Sequence, residues 1–244
     1  MTREPFLLSA ALRRDKVPDP PAYPFTIPAL RSFASLSFHP AVTFFVGENG
    51  SGKSTLLEAI AVAAGMNAEG GSQNFNFSTR ASHSELHLAL RIARSARRPR
   101  TRYFLRAESF YNVSTQVERL DVLRSYGGTS LHEQSHGEAF LTLARERFGP
   151  EGLYLLDEPE AALSPRRQMS YLRRMHVLVE QGSQFIVATH SPILLAYPAA
   201  TIHLFSSDGM APTTYEETEH FSLTRDFLVN RERYLKELLA ADDE

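Results

Sequence analysis

One glycine-rich segment constrains the fold of this chain more than any other. An apolar run at 44–46 leads into a turn with glycines at 47, 50 and 52, and a helix is predicted over 56–64. Glycine permits backbone angles that side chains disfavour, so successive N–H groups can point at one anion. The positive end of the helix faces the same point. The candidate phosphate-binding residues are Gly47, Asn49, Gly50, Ser51, Gly52, Lys53, Ser54 and Thr55.

Two side chains of this segment carry the chemistry of a nucleotide site. The Lys53 ammonium can place a point charge at the outer phosphates, and the Ser54 hydroxyl can ligate magnesium. The chain otherwise uses arginine as its basic residue, and its three lysines are Lys16, Lys53 and Lys236. The segment therefore predicts a strand, a phosphate-binding turn and a helix that hold the phosphates of a nucleotide with Mg²⁺. By itself it does not distinguish a kinase, a GTPase and an ATPase.

Composition excludes several other classes of protein. The net charge of −2 over 244 residues predicts neither nucleic acid nor membrane as a partner. The absence of cysteine excludes disulfides, thiolate metal sites and cysteine nucleophiles. No apolar run is long enough to cross a membrane, and the N-terminus is a poor signal peptide. We expect a cytoplasmic protein without direct membrane insertion.

The chain reads as a single domain over 1–244. Repeated prolines predict an irregular lead-in over 1–24, with a short helical turn at 7–13. Short apolar runs over 25–46 predict a strand pair that feeds the phosphate loop. We expect an inserted lobe over about 72–135 and helices over 224–244, in two pieces around Asn230.

The segment 82–124 is ambiguous. Ser82 and Glu85 have the spacing of a capping box, which favours a helix, whereas alternating apolar residues over 86–92 favour a strand. The helix is the preferred interpretation. A strand over 103–110 and a helix over 113–124 are predicted next.

The second half of the chain has a clearer pattern. Apolar strands are predicted over 153–156, 185–189 and 201–205, the last followed by a turn at Asp208-Gly209. Helices are predicted over 138–148, 165–181 and 193–196. Strands that are apolar on both sides and alternate with helices predict a mostly parallel sheet covered on both faces, which is an α/β fold.

Polar residues follow two of these strands. Asp157 is placed to hold magnesium, and Glu158 to orient and deprotonate an attacking water. His190 ends the next strand and can contact the terminal phosphate. A surface acidic pair and a structural histidine are the alternatives. Ser135, His136, Gly137 and Glu138 precede a helix, where they form either a second anion-binding end or an ordinary N-cap.

In this order the motifs resemble those of the ABC-type ATPases over nearly the whole chain. Residues 47–55 resemble the Walker A motif, 153–158 the Walker B motif, 135–138 the signature, and Leu163-Ser164 the D-loop. The resemblance implies a P-loop NTPase fold with an antiparallel β edge and a short helical lobe. It also implies an ATP-bound head-to-tail homodimer, in which Ser135 and Gly137 of one subunit cap the ATP held by Lys53 of the other. His190 would be the switch histidine.

This chain departs from the family pattern at several positions. His136 stands where glycine is usual, and Glu138 where glutamine is commoner, so contacts across the dimer would differ. Gln73 is the candidate Q-loop residue and a third magnesium ligand. Tyr23 or Phe25 is the candidate aromatic residue for stacking on adenine.

Details around the motifs resemble chromosome-maintenance, DNA-repair and defence ATPases rather than transporter subunits. These details are Arg31-Ser32-Phe33, Glu160 and Ser191-Pro192. We expect a small stand-alone ATPase that drives an unknown effector protein. An energy-coupling transporter subunit is the first alternative, and a small-molecule kinase is disfavoured because it would not need Ser135. An ATP-gated nucleic-acid clamp is another alternative, since arginines cluster over 91–106, although an arginine-rich solvated loop is the preferred interpretation there.

Overall fold

A computed structural model describes residues 4–68, 70–72, 84–106 and 136–240. Their strands, in chain order, are β1 (Leu7–Leu12), β2 (Ser35–Ser37), β3 (Val42–Gly47), β4 (Gly71–Ser72), β5 (Leu90–Arg94), β6 (Thr101–Leu105), β7 (Gly152–Asp157), β8 (Gln184–Ala188), β9 (Ala200–Ser206) and β10 (Gly209–Thr213). The described α-helices are α1 (Pro28–Arg31), α2 (Lys53–Ala63), α3 (His136–Arg147), α4 (Pro165–Glu180), α5 (Pro192–Leu195), α6 (Glu219–Val229) and α7 (Arg231–Leu238). Within these described ranges, three short 3-10 helices cover Arg14–Lys16, Glu85–Ala89 and Pro159–Ala162.

Seven strands form the central sheet, in the order β10-β9-β3-β8-β7-β6-β4. The five strands from β9 to β6 run parallel to their neighbours, and β10 and β4 are antiparallel edge strands. This is the mostly parallel α/β sheet with an antiparallel edge that the sequence predicts. The predicted helical lobe falls largely on 73–83 and 107–135, outside the described residues.

Helices and a second sheet cover the two faces of the central sheet. Adjacent residues of a strand point to opposite faces, so Phe45 packs with α2 and Phe44 packs with α3 and α4. The same alternation assigns Leu155 to one face and Leu156 to the other. The strands are apolar on both sides because both of their faces are buried.

The lead-in contains a strand, so the prediction of an irregular segment with a helical turn at 7–13 is wrong there. Strand β1 lies in a three-stranded antiparallel sheet of order β2-β1-β5. Prolines flank 7–12 but do not interrupt it. The strand forms because β2 and β5 both offer it hydrogen-bonding partners, and these pairings are non-local in sequence.

Two further predictions are corrected by this small sheet. The segment 25–46 contains α1 and two strands, but β2 pairs with β1 and β3 enters the central sheet, so they are not a strand pair. The helix preferred after Ser82 is also wrong. Residues 85–89 form a 3-10 helix, and β5 follows because β1 pairs with it. Here tertiary pairing overrides the local capping signal.

The C-terminal segment agrees with its prediction. Helices α6 and α7 meet at Asn230, whose amide nitrogen donates to the Asp226 carboxylate at 2.6 Å. Among the helices of the described ranges, none combines the length and apolarity needed to cross a membrane.

One buried amide joins the two sheets. Gln184 opens β8 and its residue is 1% exposed. Its Oε1 accepts hydrogen bonds from the backbone N–H groups of Phe6 and Leu7, each at 2.9 Å. Its Nε2 donates to the carbonyls of Leu7 at 2.9 Å and His39 at 3.1 Å. This side chain therefore satisfies backbone groups that lead into β1 and β3.

We expect Gln184→Met to destabilise the fold because it leaves these buried backbone groups without partners. An unsatisfied buried polar group costs about 1–3 kcal/mol, so the free energy of unfolding should fall by roughly 2–4 kcal/mol. Urea unfolding measures it. Gln181→Met, at an exposed position, is the matched control and should change stability little. Equal stability of both variants would contradict the structural role of Gln184.

Candidate functional site

The site residues meet at the carboxyl edge of the parallel sheet. Phe45 of β3 is level with Ala188 of β8, and Ala188 is level with Asp157 of β7. The loops after these three strands therefore leave the sheet side by side. Ligands of open α/β sheets bind in this position.

Two glycines of the phosphate loop are required by their surroundings. Gly47 has φ 147°, and a Cβ there would collide with the Phe205 carbonyl on β9. Gly52 caps helix α2 with φ 100°, a conformation in which a side chain would be strained. These positions allow the loop to turn tightly and aim the N-terminus of α2 back at the strand ends. An anion placed there faces the positive end of an eleven-residue helix.

The ammonium of Lys53 is held inside this loop. Lys53 is 4% exposed, and its Nζ donates to the carbonyls of Gly47 and Glu48, each at 2.8 Å. Burial lowers the pKa of Lys53, and nearby carboxylates, first that of Glu158, oppose this effect. The Lys53 ammonium is therefore in place before any ligand binds, and a bound phosphate would offset the free-energy cost of its burial.

Two of the three predicted magnesium ligands, Ser54 and Asp157, touch each other. The Ser54 hydroxyl donates to Asp157 Oδ1 at 2.8 Å, which links α2 to the end of β7. Burial raises the pKa of Asp157 to about 6, although the hydrogen bond from Ser54 opposes this shift. A carboxylate whose charge is this poorly solvated would gain from a nearby cation.

Glu158 has an unusual backbone conformation. Its φ of 46° and ψ of 53° lie in the left-handed region, which a non-glycine residue rarely adopts. Its N–H donates to the Ala188 carbonyl at 2.9 Å, which continues the pairing of β7 with β8. Its carboxylate Oε1 lies 3.6 Å from His190 Nε2. The strained conformation directs the Glu158 side chain out of the strand toward His190, two residues beyond the end of β8.

His190 is held by two further residues. Its backbone N–H donates to Glu160 Oε1 at 2.6 Å, and its Nδ1 lies 2.9 Å from His220 Nε2. In the sequence, Glu160 served only as a marker of family branch. His220 was missed entirely because it lies 30 residues further along the chain, in no motif.

The geometry fits a nucleotide with magnesium. Two buried polar atoms near the loop, Ser51 Oγ and His190 Nε2, have no hydrogen-bond partner, and a phosphate oxygen could accept from both. Within the described residues, no cluster of three or more His, Asp or Glu side chains could hold a metal ion alone. A cation here would depend on Ser54, Asp157, phosphate oxygens and water, which is the usual environment of Mg²⁺.

The predicted signature motif is described in part. Ser135 lies outside the described residues, and so does Gln73. Gly137 sits in the first turn of α3, where a Cβ would lie 2.6 Å from the Ala162 carbonyl. Glu138 Oε1 accepts from Arg167 Nη2 of α4 at 2.9 Å, so this carboxylate is paired within its own subunit.

The two candidates for adenine stacking differ in solvent exposure. Phe25 is 4% exposed and belongs to the core, so that prediction is wrong for Phe25. Tyr23 is 68% exposed and stays a prediction.

The arginine cluster is largely exposed, as the solvated interpretation expects, but it does not lie on a loop alone. It lies on β5, β6 and their connection, and several of its members bind neighbouring segments. Arg94 donates to the Ala63 carbonyl at 2.6 Å, at the end of α2. Arg100 pairs with Glu151 at 2.6 Å, and Arg106 pairs with Glu58 of α2 at 2.8 Å.

The chain is similar to a sequence family and to several solved structures. Residues 26–145 match a family described as the AAA domain, a stretch that includes the phosphate loop and ends within α3. An ATP-binding cassette of an ABC transporter, in its ADP conformation, aligns with 95% of this chain and 99% of its own at 17% identity and a TM-score of 0.50. The SMC head domain from Thermotoga maritima aligns with 86% of this chain and 98% of its own at 16% identity and a TM-score of 0.44.

No curated protein matches the sequence. The fold is that of the ABC-type P-loop ATPases, as the sequence resemblance predicts.

The buried Asp157 carboxylate predicts a pH-dependent stability. Its folded-state pKa of about 6 exceeds the ordinary value of 3.8, so its protonation stabilises the fold below pH 3.8, and this contribution is lost as pH rises through 6. Asp157→Asn, which mimics the neutral carboxyl, should therefore be more stable than wild type by about 3 kcal/mol above pH 7.

Urea unfolding without nucleotide, between pH 4.5 and 8, measures this effect. The stability gain should grow toward neutral pH and then level off. Asp208→Asn, at an exposed position in the β9–β10 turn, is the control. A gain that does not depend on pH would contradict the assigned burial of Asp157.

Proposed function

We propose that this protein is a magnesium-dependent ATPase that hydrolyses ATP between two copies of the chain. The observation that carries the proposal is the meeting of five side chains at one sheet edge. Ser54 contacts Asp157 at 2.8 Å, Glu158 lies 3.6 Å from His190, and the buried Lys53 precedes Ser54 at the start of α2. This set supplies an anion site, a cation site and a base.

ATP would bind with its phosphates against the loop and the N-terminus of α2. Lys53 would move a hydrogen bond from a loop carbonyl to an outer phosphate oxygen, and Ser54 and Asp157 would hold Mg²⁺. The bound cation neutralises charge on the phosphate oxygens. Burial makes each of these interactions stronger than it would be in water.

Glu158 is the proposed general base. It would orient a water molecule and accept its proton as the water oxygen bonds to the γ-phosphorus. The bond from that phosphorus to the bridging oxygen breaks, and ADP leaves. His190 would contact the γ-phosphate from the neighbouring strand end, so the same residue would also report whether that phosphate is present.

The second copy would complete the site. In the resemblance to ABC-type ATPases, Ser135 and Gly137 of one subunit cap the nucleotide held by the other. The position of Gly137 in the first turn of α3 supports this role, since a helix N-terminus favours an anion. Because Glu138 is paired with Arg167 of its own subunit, the first turn of α3 would be the main element that caps the nucleotide of the other subunit.

The cycle of closing and opening would drive an effector protein in the cytoplasm. Features shared with chromosome-maintenance, DNA-repair and defence ATPases support that setting over transport. One such feature, the Glu160 carboxylate, accepts a hydrogen bond from the backbone N–H of His190 at 2.6 Å, and another, Pro192, begins α5 two residues after His190. Nucleic acid is a weaker candidate partner, because Arg94, Arg100 and Arg106 already bind other parts of the chain.

The variant Glu158→Gln tests the proposed base. It removes the proton acceptor but keeps the size of the side chain, so ATP should bind as in wild type while hydrolysis falls by about 10²–10⁴-fold. Phosphate release measures hydrolysis, and light scattering after gel filtration should show a dimer that accumulates with ATP. Glu237→Gln, on an exposed position of α7, is the control. Hydrolysis at the wild-type rate would contradict the role of Glu158.

The variant Lys53→Ala tests the phosphate site itself. Loss of the ammonium should abolish measurable ATP binding by calorimetry, because no other lysine lies in the loop. Lys236→Ala, on the C-terminal helix, should bind ATP normally. Unchanged affinity in a folded Lys53→Ala protein would disprove the phosphate-loop assignment.

A further inference from the structure

A second histidine lies against the switch histidine candidate. His220 occupies the first turn of α6, and its Nε2 lies 2.9 Å from His190 Nδ1, with the two rings 5.1 Å apart. The distance is that of an N–H···N hydrogen bond. The C-terminal helix pair therefore touches the candidate site through one specific atom pair.

Contacts on both sides of His220 fix its position. The hydroxyl of Tyr215 donates to the carbonyl of Pro192 at 3.0 Å, two residues after His190. The rings of Tyr215 and Phe221 pack at 4.4 Å, and Thr218 at the start of α6 is 1% exposed. The beginning of α6 is thus docked onto the loop that carries His190.

The surroundings favour the neutral form of both rings. Burial lowers the pKa of His190, and the Lys53 ammonium and the neighbouring His220 lower it further. Burial also lowers the pKa of His220. Between two neutral imidazoles, one nitrogen of the contact donates its proton and the other accepts. The direction of that bond decides which nitrogen of His190 carries hydrogen.

The surroundings of His190 Nε2 select one direction. This atom is buried, has no hydrogen-bond partner, and lies 3.6 Å from the Glu158 carboxylate. If His190 donated from Nδ1, the lone pair on its Nε2 would face a carboxylate and the incoming phosphate oxygens, which is repulsive. If His220 donates instead, Nε2 carries the hydrogen and can donate to them.

We propose that His220 is a positioning residue that donates to His190 Nδ1 and so holds His190 in the tautomer whose Nε2–H faces the γ-phosphate. The role toward phosphate rests on the proposed ATPase function, whereas the hydrogen bond between the rings does not. The bond also makes the placement of α6 a condition for a correctly oriented His190.

The tautomer can be measured without any enzyme assay. In ¹H–¹⁵N spectra of the nucleotide-free protein, assigned with a His190→Gln variant, His190 should carry its proton on Nε2, and its Nδ1 should show the shift of a hydrogen-bonded acceptor. In His220→Leu, the Nδ1 signal should move to the position of a free acceptor. A proton on Nδ1 in the wild type, or an Nδ1 signal unchanged in His220→Leu, would overturn the proposal.

Kinetics test the consequence for catalysis. His220→Leu should lower kcat for ATP about tenfold with little change in KM, as removal of a supporting partner commonly does. His220→Gln keeps an N–H donor and should recover most of the lost rate. His176→Leu removes another histidine contact, the one at 3.1 Å to the Tyr197 hydroxyl, and should hydrolyse ATP like wild type. Equal rates for His220→Leu and wild type, or no recovery with glutamine, would overturn the positioning role.

The two readouts separate this inference from the proposed function. A wild-type protein without ATPase activity would contradict the proposed function, and the spectra would still decide whether His220 donates to His190. Normal hydrolysis with the wrong tautomer would contradict the inference alone.

Discussion

The parallel pairing of β8 between β3 and β7 is the constraint on which the candidate site depends. It places Phe45, Ala188 and Asp157 at one level of the sheet, so three loops leave the same edge together. The strands are apolar on both sides, and polar groups are therefore concentrated where the strands end. Charges at that edge, such as Lys53 and Asp157, are desolvated by the core below them. Burial of these charges costs free energy in the ligand-free protein, and the same burial strengthens their interaction with a bound ligand.

Local sequence was sufficient to predict the segments that carry their own signal, either a fixed glycine spacing or an uninterrupted apolar run. The phosphate loop has fixed glycine spacing, and Gly47 is indeed required by the close approach of Phe205. The apolar strands before Asp157 and His190 had no competing interpretation. Local sequence failed where distant pairing decides the structure. Strand β1 and the segment after Ser84 are shaped by partners tens of residues away, and Gln184 joins segments 145 to 178 positions apart.

The same division holds for the candidate site: residues in local motifs were predictable, and a residue placed by the docking of a distant helix was not. Asp157, Glu158 and His190 were found because each follows a strand, and the structure brings them together. His220 could not be found because its role depends on where α6 docks, and no sequence motif marks a residue that acts through another. A helix-opening histidine beyond the last strand is the only local signal it leaves. The C-terminal helices are thereby more than a terminal extension, since one of their side chains contacts the switch histidine candidate.

The proposed ATP site is shared between two copies of the chain, so two variants that are inactive for different reasons should restore activity in a mixed dimer. The variants to mix are Lys53→Ala and Ser135→Arg. A mixed dimer would contain one intact site, formed by Lys53 of the second variant and Ser135 of the first. The mixture should hydrolyse ATP well above the sum of the rates of the two separate variants. Hydrolysis that stays at that sum, although mixed dimers form, would contradict the shared site.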